Sequence, residues 1–524
     1  MTRRHTSIDG NVVQRNAKGF DRIPRQSHYF SAPKNHLHDT HYMLQDAMTT
    51  SVESPFRIIV VGGGIAGVAA SHMLHKAGID HVVLERRPIV ATPEGGSLFI
   101  YPHGSRILEQ LHCLNVVEKG TVPPGRWLVR LPDGEKLMNS GFFGYLKENH
   151  GYGILIFERP KFLQDLYDTL PDKSRVRTNC PVQDIRQDDD GVEVVLANGE
   201  IERGDLVLGC DGVYSLVRSV MWENANRQFP GMITAKEKTA IKANWYCLVF
   251  VTPGIPELGT TEVNVINGPK HSHMFTLTPH RGFFAVYFLL DEPCPWPKRG
   301  RRFTDQDMEE LAASVADHPL TETVVFAEAW KRRLRASVVH LEEGVLDHWY
   351  HGRIALAGDS AHKVMPNMGL GGNSGIESVA VLTNHLRKML VDNNWTKPSK
   401  SALEKALAGY QAERLERMRH IFSFSSNLSQ GWSTPWYKFL ALWVLPMLPD
   451  RSLVGEMSAI ISSAPTLNFV EAGRFPSGRV PWNYEVKKTL VSKEGGGVKT
   501  SKLGGMGVLI ALTAMIYLYR ASSL

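Results

Sequence analysis

A single segment near the start of the chain, residues 57–85, constrains the fold more than any other part of the sequence. It opens with the apolar run RIIVV, which is typical of a β-strand buried on both faces. Gly62, Gly64 and Gly67 follow in the spacing GxGxxG, and the next residues predict an amphipathic helix that ends near Gly78. This order of strand, glycine turn and helix predicts the first unit of a Rossmann-like α/β domain.

The same segment predicts the kind of ligand that the domain binds. The first glycine permits a tight turn, the second lets the backbone approach a pyrophosphate, and the third lets the helix pack closely on the strand. The free N–H groups of the helix start favour that anion. A second predicted strand, residues 81–84, ends at Glu85, whose carboxylate can accept hydrogen bonds from both ribose hydroxyls and would repel a 2′-phosphate. We therefore expect FAD or NAD here rather than NADP.

Two later motifs favour FAD. Asp211-Gly212 stands at the end of one predicted strand, and Gly358-Asp359 ends another, just before a Pro/Gly-rich loop and a helix that starts near residues 371–374. An acid at a strand end can hold the ribityl hydroxyls of a flavin, while the N–H groups of the adjacent helix start stabilise negative charge on the reduced ring.

Composition excludes several other classes of protein. The 524-residue chain has Lys+Arg 59 against Asp+Glu 53, and this surplus of +6 is spread along the sequence, so we expect no nucleic-acid partner. Its five cysteines lie far apart and form no CxxC pair, which argues against a disulfide scaffold or a zinc ribbon. Strand-like and helix-like segments alternate between the two ends, as expected for an α/β enzyme body.

The carboxyl-terminal end carries a possible membrane segment. Residues 503–519 contain no charged side chain, and a helix of that length spans roughly 25 Å, the lower limit for a bilayer core. A basic, glycine-rich linker precedes this run, so positive charge lies on its amino-terminal side and predicts a catalytic body facing the cytosol. A buried or interfacial helix is the alternative. A second apolar patch, residues 432–449, could cover a substrate cavity or dip into the same membrane.

The three cofactor motifs, in this order, resemble the single-component FAD-dependent monooxygenases of the aromatic-hydroxylase type. The resemblance extends over residues 57 to about 420. A closer similarity, carried by LEEGVLDHWYHGRIALAGDSAHKVMPNMGLGGN, is to the fungal epoxidases of meroterpenoid and indole-diterpene biosynthesis, many of which also have a C-terminal hydrophobic segment.

That resemblance implies a specific chemistry. NAD(P)H reduces FAD, O2 is the co-substrate, and a flavin hydroperoxide epoxidises an alkene of a prenyl chain before a membrane terpene cyclase folds it. It also implies a single-pass membrane protein, most simply of the endoplasmic reticulum. Two alternative classes remain open. One is phenol hydroxylation; the other is a non-oxygenating Rossmann protein, either a flavin-dependent prenyl reductase or an NAD-binding scaffold. An apolar tunnel lined by residues such as Phe275, Phe284 and Trp432 would disfavour phenol hydroxylation.

The resemblance also assigns residue roles. It places Glu85 at the adenosine ribose, Arg159 near the FAD phosphates, Asp359 at the ribityl chain and Gly372 close to the flavin. Tyr246 and Arg218 match positions with catalytic roles, although a packed sheet tyrosine and a surface ion-pair arginine are the alternatives. In two places the chain departs from the family: Phe99 stands where a Gly is expected, and Gly372 where an Ala is usual. The segment 221–242 is also longer than expected.

We thus expect an α/β fold with a Rossmann-like FAD-binding domain, an inserted substrate-binding β-sheet domain and a C-terminal membrane helix. The expected boundaries are a flexible arm at 1–55, the FAD-binding domain at 56–225 and 336–425, the sheet domain at 226–335, an apolar region at 426–485, a basic linker at 486–502 and the transmembrane helix at 503–520.

Overall fold

The computed structural model describes residues 56–119, 121, 123–268, 271–295, 302–430, 447–471, 476 and 478–483. The predicted arm 1–55, the linker 486–502 and the membrane segment 503–520 lie outside these residues, as does Trp432. Among the helices that are described, none is both long and apolar enough to cross a bilayer.

The strands are short in the nucleotide-binding part and long in the part that follows. In chain order they are β1 (Arg57–Val61), β2 (Asp80–Leu84), β3 (Ser97–Ile100), β4 (Arg126–Arg130), β5 (Lys136–Ser140), β6 (Leu155–Glu158), β7 (Val176–Arg177), β8 (Val182–Gln187), β9 (Val192–Leu196), β10 (Ile201–Gly204), β11 (Leu206–Gly209), β12 (Lys242–Pro253), β13 (Glu262–Asn267), β14 (His271–Leu277), β15 (Arg281–Pro295), β16 (Arg335–Val345), β17 (Tyr350–His351), β18 (Ile354–Leu356) and β19 (His362–Lys363).

The helices alternate with these strands. They are α1 (Ile65–Ala77), α2 (Pro102–Gln110), α3 (Leu114–Val117), α4 (Phe142–His150), α5 (Arg159–Asp168), α6 (Leu216–Gln228), α7 (Ala235–Lys238), α8 (Asp305–Ala313), α9 (Phe326–Lys331), α10 (Gly371–Asp392), α11 (Lys400–Gln430), α12 (Asp450–Leu453) and α13 (Gly455–Ser462).

Within the described residues, six strands form the nucleotide-binding sheet in the order β17-β18-β11-β1-β2-β7. β1 pairs in parallel with both β2 and β11, and its residues Ile58, Ile59 and Val60 are fully buried. The continuous apolar run predicted this position, because a central parallel strand has no solvent face. The carboxyl ends of β1, β2, β11 and β18 therefore lie at one edge, where the three predicted motifs begin.

The second sheet is larger and mostly antiparallel. In the described part of the chain its order is β19-β16-β12-β15-β14-β13-β4-β5, with β4 and β13 paired in parallel. This sheet is more dispersed along the sequence than the predicted segment 226–335, since it recruits residues 126–140 and continues through β16 to residue 345. The recruitment of β4 depends on a long-range parallel pairing, which local sequence pattern does not report.

The two faces of this sheet have different surroundings. One face, here called the cavity face, borders the nucleotide-binding part; the other, the helix face, packs against α8 and α9. Side chains on the cavity face include Cys247, Val249, Ala285, Tyr287 and Leu341. Side chains on the helix face include Tyr246, Leu248, Phe250, Phe284 and Phe288.

Candidate functional site

The glycines of the turn between β1 and α1 differ in what a side chain at each position would meet. Gly62 has a φ of +104°, and a Cβ atom there would lie 2.6 Å from the carbonyl oxygen of Cys210. A Cβ on Gly67 would lie 1.8 Å from the carbonyl oxygen of Gly62, so only glycine lets α1 approach the turn this closely. A Cβ on Gly64, the N-cap of α1, would meet no atom within 4 Å. The backbone at this helix start is therefore open to a ligand.

Glu85 lies directly beside this turn, at the end of β2. One carboxylate oxygen accepts a hydrogen bond from the backbone N–H of Gly63 at 2.7 Å, and the other accepts from the N–H of Arg87 at 2.9 Å. The side chain is buried, so the two bonds fix its orientation. Each oxygen keeps a second lone pair, which suits the ribose contacts predicted for this acid.

A cavity of about 550 Å³ lies between the glycine turn, the start of α10 and the cavity face of the large sheet. Four of the predicted cofactor residues line it: Gly64, Arg159, Asp359 and Gly372. The sheet contributes mainly apolar residues, namely Cys247, Val249, Met274, Phe283, Phe284, Ala285, Val339 and Leu341, together with the polar Thr276, Tyr287, His340 and Glu342. The structure thus joins two parts of the chain that are far apart in sequence into one site.

Charged side chains cluster at the nucleotide end of the cavity. The Lys363 ammonium lies 3.0 Å from a carboxylate oxygen of Asp359 and 3.8 Å from one of Glu342. Burial opposes the ionisation of Asp359, but Lys363, with smaller contributions from His362 and Arg159, holds the pKa of that carboxyl below its ordinary value. Asp359 is therefore an anion at neutral pH, ready to accept hydrogen bonds from hydroxyl groups.

Two helix N-termini open onto the same cavity. Gly64 caps α1, while Gly371 and Gly372 begin α10, and no described side chain caps either helix start. Unpaired N–H groups and the positive dipole ends then point towards the space. The open cradle at Gly64, the carboxylate of Asp359 and the second helix start fit a dinucleotide that carries a polyol chain and a ring able to accept electrons, which describes FAD.

Asp211 and Arg218 are not among the cavity-lining residues. Asp211 accepts hydrogen bonds from the Ser215 hydroxyl at 2.6 Å and from the Val217 N–H at 3.2 Å, so it anchors the start of α6. Arg218 is fully buried, which makes the surface ion-pair alternative wrong. Its guanidinium donates to the carbonyl oxygens of Ser360, at 2.9 Å, and of Val213, at 2.5 Å. Arg218 therefore ties the Asp211 loop to the Asp359 loop.

Tyr246 lies on the helix face of the sheet, away from the cavity. Its ring stacks on Phe288 and Phe303, with centroid distances of 5.2 and 5.3 Å. The tyrosine that lines the cavity is Tyr287, which pairs across strands with Cys247, the neighbour of Tyr246. β12 is apolar on both faces, so its sequence cannot indicate which of two consecutive residues faces the cavity.

The two departures from the family pattern have a common packing explanation. Phe99 lines the cavity and packs against Gly369, where an added Cβ would lie 2.6 Å from the Phe99 Cβ. An added Cβ on Gly372 would lie 2.8 Å from a methyl carbon of Leu98. The bulky pair Leu98-Phe99 thus occupies space that an alanine at 372 would need, and the glycines at 369 and 372 accommodate it.

Two residues that organise the site were not predicted from the sequence. Lys363 follows Asp359 by four residues, a spacing that could have suggested the ion pair. Asn373 is fully buried and links α10 to β3: its amide donates to the carbonyl oxygens of Phe99 and Gly369, and its oxygen accepts from the N–H of Tyr101. No local pattern signals the link to β3, because Phe99 and Tyr101 are about 270 residues away in sequence.

The fold and the site define a class: an FAD-binding α/β enzyme in which the cofactor cavity meets an antiparallel substrate sheet. Comparison with known families agrees, since a family model described as an FAD binding domain matches residues 56–425. The chain belongs to this family of FAD-binding monooxygenases and is an FAD-dependent monooxygenase.

Fungal relatives match most of the chain. The FAD-dependent monooxygenase DEP2 of Alternaria brassicicola is 38% identical over 423 residues, covering 80% of each protein. The FAD-dependent monooxygenase atmM of Aspergillus flavus is 34% identical over 442 residues, covering 83% of this chain and 91% of that protein. Both names state the cofactor and the class of reaction.

A solved structure has the same fold. Klebsiella pneumoniae HpxO, crystallised with FAD and uric acid, superposes with a TM-score of 0.64 at 18% identity, covering 80% of this chain and 99% of that one. The family match and the fungal relatives establish FAD as the cofactor, with NAD(P)H and O2 as the usual partners of such enzymes.

Proposed function

We propose that this enzyme epoxidises an alkene in the prenyl chain of a prenylated small molecule, as part of fungal meroterpenoid or indole-diterpene biosynthesis. The observation that carries the proposal is the apolar wall of the cavity. On β12, β14 and β15 the lining residues are apolar except for Thr276 and Tyr287, whereas β16 adds His340 and Glu342 beside the apolar Val339 and Leu341. A hydrocarbon chain can pack against the apolar part of this wall without burying polar groups that lack hydrogen-bond partners.

The nucleotide end of the cavity would hold FAD through residues already described. Gly64 and the start of α1 would receive the pyrophosphate, Glu85 the adenosine ribose, and Asp359 the ribityl hydroxyls. Arg159, at the first position of α5, would add positive charge near the phosphates. When bound and reduced by NAD(P)H, FAD supplies the activation of O2 from which one oxygen atom passes to the substrate.

Tyr287 is the polar group best placed to act on the substrate side. Burial raises the pKa of its phenol well above the ordinary value of 10, so the group stays protonated and can donate a hydrogen bond. In the structure its hydroxyl lies 3.8 Å from the sulfur of Met274, a weak acceptor that a better one would displace. We assign to Tyr287 the orientation of an oxygen atom of substrate or product over the cavity face.

Phenol hydroxylation fits this wall less well, because it benefits from a base that removes the phenolic proton. Two lining residues of β16 could supply such a base, but Glu342 already accepts from the Tyr214 hydroxyl at 2.7 Å and faces Lys363. The His340 ring packs against Phe303, beside Tyr246 on the helix face. Of the apolar tunnel residues predicted from sequence, Phe284 borders the cavity, but its ring stacks on Phe250 and Phe275 on the helix face. Trp432 lies outside the described residues.

An isotope experiment distinguishes the candidate reactions. Purified enzyme, NADPH and 18O2 would be incubated with a farnesylated aromatic and, as a matched control, the same aromatic with its chain fully hydrogenated. The proposal predicts one 18O atom in the chain of the first compound, as an epoxide or its diol, and no oxygenation of the second. Oxygen on the ring of both compounds would establish phenol hydroxylation instead. Loss of a double bond without 18O would indicate a reductase.

The proposal extends to location. The apolar run 503–519, outside the described residues, and the basic linker before it support a single-pass anchor in the endoplasmic reticulum membrane with the catalytic body in the cytosol. Such an anchor would hold the enzyme at the membrane into which a hydrophobic prenyl chain partitions. A membrane terpene cyclase that consumes the epoxide would then be a functional neighbour.

A further inference from the structure

Three histidines meet on the helix face of the large sheet, away from the FAD cavity. His271 and His273 lie two residues apart on β14, so their side chains emerge on the same face. His318 comes from the connection between α8 and α9. One ring nitrogen of each residue lies within 4.8 Å of the corresponding nitrogens of the other two.

The spacing of these nitrogens approaches that of a metal site. Nε2 of His273 lies 3.1 Å from Nδ1 of His318. Two imidazole nitrogens bound to one tetrahedral Zn²⁺ at 2.0–2.1 Å stand about 3.3 Å apart, so this pair already has nearly the required separation. The ring of His271 stacks on that of His318 with a centroid distance of 4.4 Å, and a rotation of the His271 side chain would bring its nitrogen closer.

Burial of the cluster favours neutral imidazoles. His273 is 4% exposed, and its Nδ1 has no hydrogen-bond partner among the described residues. Burial lowers the pKa of His273 to about 3 and also lowers the pKa values of His271 and His318. Neutral imidazole is the form that binds a metal.

Solvent can reach the cluster from one side. His271 and His318 are only partly buried, whereas His273 is enclosed near Phe326. A metal could therefore enter from the surface and keep one water ligand, as in sites with three protein ligands and an open fourth position.

We propose that His271, His273 and His318 bind one Zn²⁺ ion, with water as the fourth ligand. The ion would connect β14 to the segment between α8 and α9 and so fasten these helices to the sheet. Because the cluster faces away from the cavity, the metal would stabilise the substrate sheet and take no part in the FAD chemistry. The inference is independent of the reaction proposed above.

The test is a comparison of zinc content between the wild type and single variants of the full-length holoenzyme. The proteins would be produced without a polyhistidine tag, loaded with Zn²⁺, dialysed, and analysed for zinc and FAD per chain. The N-terminal residues 1–55 contain five further histidines, so the difference between variants is the quantity that decides. His318→Ala and His271→Ala should each hold about one Zn²⁺ fewer per chain than the wild type at unchanged FAD content.

His385→Ala is the matched control, because this histidine lies at the surface of α10 and pairs with Glu413 instead. It should retain the wild-type zinc content. Thermal unfolding gives an independent readout: Zn²⁺ should raise the midpoint of the wild type and of His385→Ala, but not that of His271→Ala. Equal zinc content in the wild type and His271→Ala would overturn the proposal, and the three histidines would then be a hydrogen-bonded cluster only.

Discussion

At the scale of single residues, the acid at the end of β18 has the most direct consequence for the cofactor. The carboxylate of Asp359 lines the cavity and is held as an anion mainly by Lys363. Replacing it by alanine removes the proposed acceptor for the ribityl hydroxyls and, among the described residues, leaves Lys363 with Glu342 as its remaining ion-pair partner. We expect Asp359→Ala to weaken FAD binding at least tenfold, or about 1.4 kcal/mol.

FAD per chain, measured by absorbance after gel filtration, checks this prediction. Asp347→Ala is a suitable control because Asp347 is exposed and pairs with Arg419 at the surface. The control should keep its full yellow colour. If Asp359→Ala retained the same FAD content under dilution, the assigned role of this carboxylate would be wrong.

The two tyrosines of the substrate sheet give a second prediction. Tyr287→Phe removes the hydroxyl that faces the cavity, so kcat/KM for the prenylated substrate should fall about tenfold, the effect of one lost hydrogen bond in the transition state. Tyr246→Phe keeps the stacking on Phe288 and Phe303 and should behave like the wild type. Steady-state NADPH oxidation coupled to product formation measures both. The opposite pattern would restore Tyr246 as the functional residue.

The sequence predicted the packing role of the turn glycines, but it did not predict where two other residues lie relative to the cavity. At Gly62 and Gly67 the structure contains the local steric demand that their spacing predicts, while their contact with FAD stays a prediction. Tyr246 and Arg218 were placed by resemblance, and neither is among the cavity-lining residues. For Tyr246 the obstacle is the period of two in a strand whose faces are both apolar, where an error of one residue reverses the direction of the side chain.

At the scale of elements, β2 and α1 are joined by a buried imidazole. Nδ1 of His81 donates to the carbonyl oxygen of Ile79 at 3.0 Å, and Nε2 then accepts from the Ser71 hydroxyl at 2.9 Å. Burial, with a smaller contribution from Arg175, lowers the pKa of His81 to about 4, whereas the unfolded chain titrates near 6.5. Between these values the unfolded state binds more protons, so the stability is present above pH 6.5 and is lost as the pH falls towards 4.

We therefore expect His81→Gln to flatten the pH dependence of stability in that window. One proton taken up on unfolding corresponds to a slope of up to about 1.4 kcal/mol per pH unit. The measurement is the thermal midpoint between pH 4 and 8 at saturating FAD, for the wild type, His81→Gln and the surface control His385→Gln. Parallel curves for the wild type and His81→Gln would contradict the account.

Some strands could be predicted from the local sequence, and others could not. The parallel core was predictable because β1, β2 and β11 are short apolar runs that each precede a recognisable motif. The membership of β4 and β5 in the large sheet was not, since β4 pairs with β13 across more than a hundred residues. The Leu98-Phe99 pair opposite Gly369 and Gly372 was equally hidden, because it depends on how β3 packs against α10.

At the scale of the whole molecule, the position of the catalytic body relative to a membrane remains a prediction from sequence. Deleting residues 500–524 should move the enzyme from the membrane fraction to the supernatant after cell lysis. Its visible flavin spectrum should not change, because every residue assigned to the FAD cavity lies upstream of the deletion. Immunoblots of the separated fractions measure this. A deletion variant that still sedimented with membranes would shift the anchor to the apolar patch 432–449.

The candidate site is built from both sheets, and each contributes a different kind of surface. The nucleotide-binding sheet supplies the glycine turn and Asp359, while the large sheet supplies an apolar wall of Cys247, Val249 and Tyr287. Charge is concentrated at one end of the cavity and hydrocarbon surface at the other. This division suits the proposed reaction, in which an ionic cofactor acts on a hydrocarbon chain.

The measurement that tests this account most directly is NADPH-dependent oxygen consumption by the purified, detergent-solubilised protein, with and without a farnesylated or geranylgeranylated aromatic. We expect slow uptake by the enzyme alone, strong stimulation by the prenylated compound, and a product heavier by one oxygen atom. Oxygen uptake that the compound does not stimulate, or flavin reduction without oxygen transfer to it, would contradict the assignment of prenyl-chain epoxidation.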